Sequence, residues 1–268
     1  MSRNKRDIPV FDHPIIETHC HLDYLKDEAL SEVLAQARAV GIERLVTIAV
    51  SPDNLARVRE MRDLDPMIHG TQGVHPHDAE SYTAETAAEL RAHGRDERIV
   101  AIGEIGLDYY YDHADRDVQR RVFAEQLAIA VELDQPVVIH TREADADTQA
   151  ILKEFAPSLA KKGVIHSFTS GLALGQFCLE QGFMLGFNGI ITFNKADNVR
   201  EVLAATPLEQ LVVETDSPFL TPAPYRGREN APKYLPFIVE KIADVKGVSV
   251  DQVLRQTYAN ARRLFAFD

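Results

Sequence analysis

Short runs of β-branched and apolar residues alternate along this chain with longer segments of amphipathic character. Runs of this length, bounded by turn residues, are typical of strands. Eight of them predict strands at Pro14–His19, Arg44–Val50, Ile68–Val74, Arg98–Glu104, Pro136–His140, Gly163–Ser167, Phe183–Phe187 and Leu211–Asp216.

The segments between these strands have the spacing of amphipathic helices. In Asp27–Val40, apolar side chains recur every three or four positions, and Gly41 provides a stop. Ser51 and Pro52 have the residue types of a helix N-cap and first turn. Further helices are predicted over Asp117–Leu133, Leu172–Glu180, Pro232–Lys246 and Val250–Phe265.

Repeated strand–helix units indicate a parallel α/β fold, because consecutive parallel strands need right-handed crossovers. Eight such units in 268 residues favour a closed (β/α)₈ barrel of the TIM type, formed as a single domain over residues 1–268. An open, doubly wound sheet is the alternative that the pattern leaves.

Composition narrows the classes of protein. The net charge of −12 argues against broad electrostatic attraction to nucleic acid, although local arginines or metal ions can still bind a phosphate. No apolar stretch is long enough for a membrane helix, and the first residues lack the apolar core of a signal peptide. The two cysteines, Cys20 and Cys178, cannot form a disulfide framework, so we expect a cytoplasmic protein.

Residues that bind metals follow the predicted strands. His19 and His21 are two positions apart and therefore share a strand face. Alternation along the fourth strand places Glu104 on the face of Val100 and Ile102. In three more strands, the last inward-facing position is also a residue of a metal-ligand type: His140, His166 and Asp216. In a barrel, the carboxyl ends of the strands converge on one mouth.

Four histidines and two carboxylates exceed the four ligands of one tetrahedral zinc ion. The same set suits two divalent ions about 3.5–4 Å apart. Imidazole and carboxylate ligands are compatible with Mg²⁺, Mn²⁺ or Zn²⁺, and no thiolate narrows the choice. Each residue alone is an ordinary strand-end side chain, but five strands with such residues at one level predict a metal site.

Other positions allow two interpretations. His75 and His77 follow the third strand and either line the mouth or cap a loop. Glu214 either orients a ligand or is a buried carboxylate held by an arginine. Asp108 and Tyr109 lie in a loop predicted to turn over the mouth. The remaining polar or aromatic candidates are Tyr110 and Tyr111, which could stack a base or pack the rim, and His13, His69, His93 and His113, which are expected to be solvent or packing residues.

In chain order, these residues resemble the TatD family of metal-dependent deoxyribonucleases, a branch of the amidohydrolase superfamily. The resemblance covers almost the whole chain, and an ordered set of motifs is far more specific than a single His-x-His. The matching stretches are Glu17–Asp23, Gly73–His77, Gly103–Tyr110, Val138–Arg142, Ile165–Phe168, Glu214–Leu220, Arg226–Asn230 and Asn260–Phe265.

The resemblance implies how the ligands divide between the ions. His19, His21 and Asp216 would hold one ion, and Glu104 would bridge to a second ion held by His140 and His166. In related amidohydrolases a modified lysine after the fourth strand often bridges the two ions, and this chain has Glu104 there instead. The loop after His166 departs from the family pattern, because Gly171 lies later than the family's glycine, and this leaves substrate contacts there less defined.

Three functions follow as hypotheses. The first is hydrolysis of DNA phosphodiester bonds from a strand end, with Asp216 orienting the attacking water or accepting its proton and with Arg226 and Arg228 contacting phosphates. His75, His77, Asp108 and Tyr109 complete the predicted substrate-binding residues. The second is hydrolysis of an ester or amide bond at the same metal site, for example removal of D-amino acids from charged tRNA. The third, a barrel without activity that only binds a partner, is disfavoured by the intact ligand set; a monomer is expected.

Overall fold

The computed structural model describes residues 6–268, and its eight strands form one parallel sheet in the order of the sequence. Each strand pairs with the next in parallel. The strands are β1 Ile15–Cys20, β2 Ile42–Thr47, β3 Ile68–Gln72, β4 Ile99–Asp108, β5 Val137–Arg142, β6 Gly163–Ile165, β7 Met184–Phe187 and β8 Leu211–Val213.

Helices connect the strands and surround the sheet. They are α1 Leu30–Ala39, α2 Leu55–Leu64, α3 Ala84–His93, α4 Arg116–Leu133, α5 Asp145–Phe155, α6 Leu172–Glu180, α7 Asp197–Ala205, α8 Leu235–Lys246 and α9 Val250–Phe265. Within the described chain, no helix combines the length and the apolar character that crossing a bilayer requires.

Contacts between the first and last strands close the sheet into a barrel. The hydroxyl of Thr18 donates to the carbonyl of Val213 at 2.8 Å. At the carboxyl end, the amide of Asp216 donates to His19 O at 2.9 Å, and the amide of His21 donates to Ser217 O at 2.8 Å. The (β/α)₈ barrel is therefore confirmed, and the open sheet is excluded.

Apolar side chains form two layers, one on each side of the barrel wall. The larger layer packs between the strands and the helices. The inner layer fills the barrel with Ile16, Val46, Val138, Val164 and Val212, and the end of α9 contributes to it. The amino-terminal end of the barrel is thus closed by packed side chains, so that only the carboxyl end is available for a site.

Helix α9 fixes the start of β8. Its first turn is capped by Ser249, whose hydroxyl accepts a hydrogen bond from the amide of Gln252. Near its end, buried Asn260 donates through Nδ2 to the carbonyls of Leu208 and Leu211, each at 2.8 Å. Asn260, which belongs to the last of the recognised motifs, therefore has a structural role here.

All eight predicted strands are present, but several ends differ. Strand β4 continues to Asp108, four residues past Glu104, whereas β8 ends at Val213. The expectation that Ile102 shares the face of Glu104 is wrong, because Ile102 packs in the outer layer while Val100 packs in the inner one. Irregular pairing along β4 interrupts the alternation on which that expectation depended.

Candidate metal centre

The end of β1 brings two histidines to the mouth of the barrel. Glu17 and Cys20 of β1 pair with Leu45 and Thr47 of β2, so β1 has one extra residue between these pairs. The strand is therefore bulged next to the two histidines. Bulges re-aim side chains next to functional sites. Nε2 of His21 lies 3.3 Å from Asp216 Oδ1, and Nε2 of His19 lies 3.5 Å from the same oxygen.

A second bulge presents Glu104. Gly103 and Ile105 of β4 pair with Val138 and Ile139, which are consecutive in β5, so Glu104 is the extra residue between them. Its amide donates to Ala49 O at 2.9 Å. The side chain is 2 % exposed and lies at the bottom of the mouth.

The two oxygens of Glu104 face different histidines. Oε2 lies 3.4 Å from Nε2 of His19. Oε1 lies 2.6 Å from Nε2 of His166, 3.1 Å from Nδ1 of His140 and 3.4 Å from Nε2 of His75. One carboxylate therefore lies between His19 of β1 and the histidines within β5 or following β3 and β6.

The protonation of His75 follows from its other nitrogen. Nδ1 of His75 accepts a hydrogen bond from the amide of His77 at 3.1 Å. Burial lowers the pKa of His75 well below its usual range, so the ring is neutral. A neutral imidazole whose Nδ1 accepts must carry its proton on Nε2. Nε2 of His75 faces Glu104, and with Glu104 and His140 this histidine forms one group of potential metal-ligand atoms.

The two carboxylates of the centre are ionised despite their burial. Burial would raise the pKa of Glu104, but the charge of His166 and the hydrogen bonds from His140 and His166 hold it well below the usual range. Burial likewise opposes ionisation of Asp216, and the hydrogen bond from His21 with nearby imidazole charge lowers its pKa. Two buried anions among histidines are compatible with a cation-binding centre.

The donor atoms fit divalent ions. His19, His21 and Glu104 offer ligand atoms within 4.8 Å of one another, and His75, Glu104 and His140 form another such group. Nε2 of His19 and Nε2 of His21 are 3.3 Å apart, and Nε2 of His166 is 3.4 Å from Nδ1 of His140. Each nitrogen pair can share only one proton without repulsion, whereas a cation can accept both lone pairs.

Asp108 lies behind the centre rather than in the mouth. Its Oδ2 accepts from Nε2 of His140 at 2.8 Å, and its Oδ1 accepts the amides of Tyr110 and Tyr111. The side chain is fully buried. A carboxylate bonded to the far nitrogen of a histidine fixes its tautomer and aims the near nitrogen, here Nδ1, toward Glu104.

Glu214 has the corresponding position behind His166. Its Oε1 accepts from the amide of Ser167 at 2.6 Å and from Asn188 Nδ2 at 3.2 Å, and it lies 3.6 Å from His166 Nδ1. No arginine contacts it among residues 6–268. A Cβ on Gly186 would lie 2.5 Å from Glu214 Oε2, so the glycine makes the space for this buried carboxylate.

Above the centre is a cavity of about 1100 Å³. His75 and His77 line it, together with the ligand candidates at its floor. The structure does not bring the other predicted substrate-binding residues to its wall: Tyr109 bonds Asp147 and Arg120 outside the cavity, Arg226 stacks on Phe193, Arg228 lies over Tyr225, and Asp108 is buried as described.

Several wall residues were not anticipated from the sequence. His113 lines the cavity and stacks on Tyr111, whereas His13, His69 and His93 lie elsewhere. Tyr24 and Phe219 flank His21 on the opposite wall. Arg142 also lines the cavity, and its signal was available: it lies two positions after His140 on one strand and therefore on the same face.

Comparison with known proteins agrees with this arrangement. The chain is 38 % identical over 252 residues to an uncharacterised metal-dependent hydrolase, YabD, of Bacillus subtilis, covering 94 % of this chain and 98 % of that one. It is 38 % identical over 240 residues to a protein named 3′-5′ ssDNA/RNA exonuclease TatD of Erwinia amylovora, covering 87 % and 92 % of the two chains.

Solved structures show the same architecture. The crystal structure of the TatD homologue YjjV of Escherichia coli K12 superposes with a TM-score of 0.89 at 28 % identity, covering 95 % of this chain and 98 % of that one. The family model described as TatD related DNase matches residues 16–266. The chain therefore belongs to the TatD-related DNase family and is a metal-dependent hydrolase.

Proposed function

We propose that this protein hydrolyses DNA phosphodiester bonds from a strand end, using two divalent ions. The observation that carries the proposal is Glu104, whose two oxygens face separate histidine groups at the floor of the cavity. A single carboxylate with this geometry is suited to hold two cations close together.

The chain provides a complete ligand set for both ions. In the proposed allocation Glu104 belongs to both, His19, His21 and Asp216 hold one ion, and His140 and His166 hold the other. Asp108 and Glu214 aim the last two imidazoles from behind. Nε2 of His75 lies 3.4 Å from Oε1 of Glu104, on the side of the second ion. All of these residues come from one chain, so we propose that a monomer is active.

Bound Mg²⁺, Mn²⁺ or Zn²⁺ would lower the pKa of a water molecule and neutralise charge on a phosphate. The chain's own contribution is a proton acceptor next to that position. Asp216, whose side chain is 13 % exposed, is ionised, and the hydrogen bond from His21 holds its Oδ1. We propose that the Asp216 carboxylate takes the proton from the attacking water.

The shape of the site supports a strand end as substrate. The inner apolar layer closes the barrel below the ligands, so a strand enters from one side and cannot pass through. The Erwinia relative is named for exonuclease activity on single strands. Aromatic side chains on both cavity walls, Tyr24 and Phe219 opposite Tyr111, are suited to stacking on unpaired bases.

The test uses metal-loaded protein and end-labelled single-stranded and double-stranded oligonucleotides. We expect stepwise shortening from one end, loss of activity with chelator, and recovery with added Mg²⁺, Mn²⁺ or Zn²⁺. Glu104→Gln is the inactive control. Absence of DNA cleavage together with release of the amino acid from D-aminoacyl-tRNA would favour the ester-hydrolase alternative.

A further inference from the structure

Arg142 lies beyond the metal centre, on the strand that contains His140. It is the last residue of β5 and lies two positions after His140, on the same strand face. Two strand residues span about 6–7 Å, so the guanidinium group belongs to the next layer of the cavity wall, above the ligands. The side chain is half-buried and lines the cavity.

The guanidinium group has no anionic partner within residues 6–268. Its side-chain contacts there are aromatic: it lies 3.9 Å from the ring centroid of Tyr110 and 4.9 Å from that of Tyr111. The nearby carboxylate of Asp145, which also lines the cavity, accepts a hydrogen bond from Ser170 Oγ at 2.7 Å. The N–H groups of Arg142 are therefore available to a ligand.

Among the described residues, Arg142 is the arginine that both lacks a carboxylate partner and lines the cavity. The chain has a net charge of −12, and many of its other arginines are paired with carboxylates. No other arginine or lysine side chain of the described residues lines the cavity. The two tyrosine rings lie against the guanidinium and limit its motion, while its N–H groups stay available for an anion.

We propose that Arg142 anchors a second phosphate of the substrate, the one that neighbours the phosphodiester bond being hydrolysed. This inference rests on the proposed nuclease function and makes it more specific. The substrate class is then a chain with at least two successive phosphates, rather than an isolated phosphodiester or a neutral ester. It also assigns phosphate recognition to Arg142 instead of Arg226 and Arg228, because these two arginines lie outside the cavity wall.

The test compares two substrates on the metal-loaded protein. Arg142→Gln should lower kcat/KM for a short single-stranded oligonucleotide by about tenfold to a hundredfold, mainly through KM, because a charge-assisted hydrogen bond is lost. Hydrolysis of bis(4-nitrophenyl) phosphate, which has one phosphate, should be unchanged. Arg142→Lys should recover part of the loss, since lysine keeps the charge but not the fork of donors.

A matched control is Arg116→Gln. Arg116 also lies over a tyrosine, with its guanidinium 4.3 Å from the ring centroid of Tyr109, but it is paired with Asp112 and does not line the cavity. This variant should behave like wild type. The salt dependence gives a second readout: loss of one phosphate contact on a single strand should reduce the slope of log K against log[salt] by about 0.7.

Each result separates this inference from the proposed function. If wild type and Arg142→Gln cleave the oligonucleotide with the same KM and salt slope, the anchor is wrong and the nuclease stands. If wild type does not cleave it, the nuclease is wrong. Calorimetric binding of thymidine 3′,5′-bisphosphate then tests the anchor alone: weaker binding by Arg142→Gln supports it, and equal binding overturns it.

Discussion

His69 lies far from the metal centre and should make the fold sensitive to acid independently of the site. It is 7 % exposed and packs against Phe267 at 4.5 Å between ring centroids. Burial lowers its pKa from 6.5 to about 4, and the positive charges of Arg44 and Arg98 act in the same direction. The folded state therefore strongly disfavours the protonated imidazole.

The sign and size of the effect follow from these values. Between pH 6.5 and about 4 the unfolded chain binds the proton and the folded chain does not, so stability falls as the pH falls through this range. The contribution is fully present above pH 6.5. The full difference in pKa corresponds to about 3 kcal/mol, and residual solvent access reduces our expectation to about 1–2 kcal/mol.

The measurement is the free energy of unfolding in urea at pH 7.5 and pH 4.5, with chelator present so that metal release makes no contribution. Wild type should lose about 1–2 kcal/mol more than His69→Gln over this interval. His13→Gln, at a partly exposed histidine whose Nδ1 faces the carbonyl of Pro14 rather than a carboxylate, controls for the loss of one imidazole and should follow wild type. Parallel pH profiles for wild type and His69→Gln would refute the reasoning.

Three further predictions concern the centre itself. Metal-stripped protein in excess chelator should lose its hydrolase activity, and full activity under those conditions would contradict the metal site. Glu104→Gln should lose at least one ion, as measured by metal analysis. Asp216→Asn should keep most of its metal and lose about 10²–10⁴-fold in rate. Normal turnover by a metal-loaded Asp216→Asn variant would mean that Asp216 is only a ligand. Glu214→Gln should weaken metal binding in titrations by about 10–100-fold because His166 loses its orienting partner. Glu17→Gln is its control, since this buried side chain bonds the amides of His19 and Thr215 rather than an imidazole; equal affinities in the two variants would argue against an orienting role.

Strand periodicity is sufficient to predict that most side chains of the metal centre lie close together. His140 lies in β5 and His166 directly follows β6, and the inward faces of these strands are marked by Val138 and Val164. The carboxyl ends of barrel strands converge, which brings the two histidines together. The same rule could have identified Arg142, which continues the face of His140 by one repeat. These residues are predictable because alternation in a regular strand is a local property.

Bulges and loop paths could not be predicted in the same way. The alternation rule placed Glu104 on the face of Ile102, but Ile102 lies in the outer layer. The rule fails here because a bulge interrupts the strand, and a bulge depends on pairing with the neighbouring strands. Asp108 and Tyr109 were expected in a loop, but β4 extends to Asp108 and directs both residues away from the cavity. The path of a long loop depends on tertiary contacts that no local pattern records.

The closure between β1 and β8 has a consequence for the order in which the protein is made. Thr18 and Val213, which bond across it, are 195 residues apart, and the carbonyls that start β8 are held by Asn260 of the final helix. His19 and His21 leave the ribosome early, but Asp216 reaches them only when the last strand docks. A nascent chain therefore lacks the complete ligand set proposed for the first ion, and we expect competence for hydrolysis to arise only at the end of synthesis.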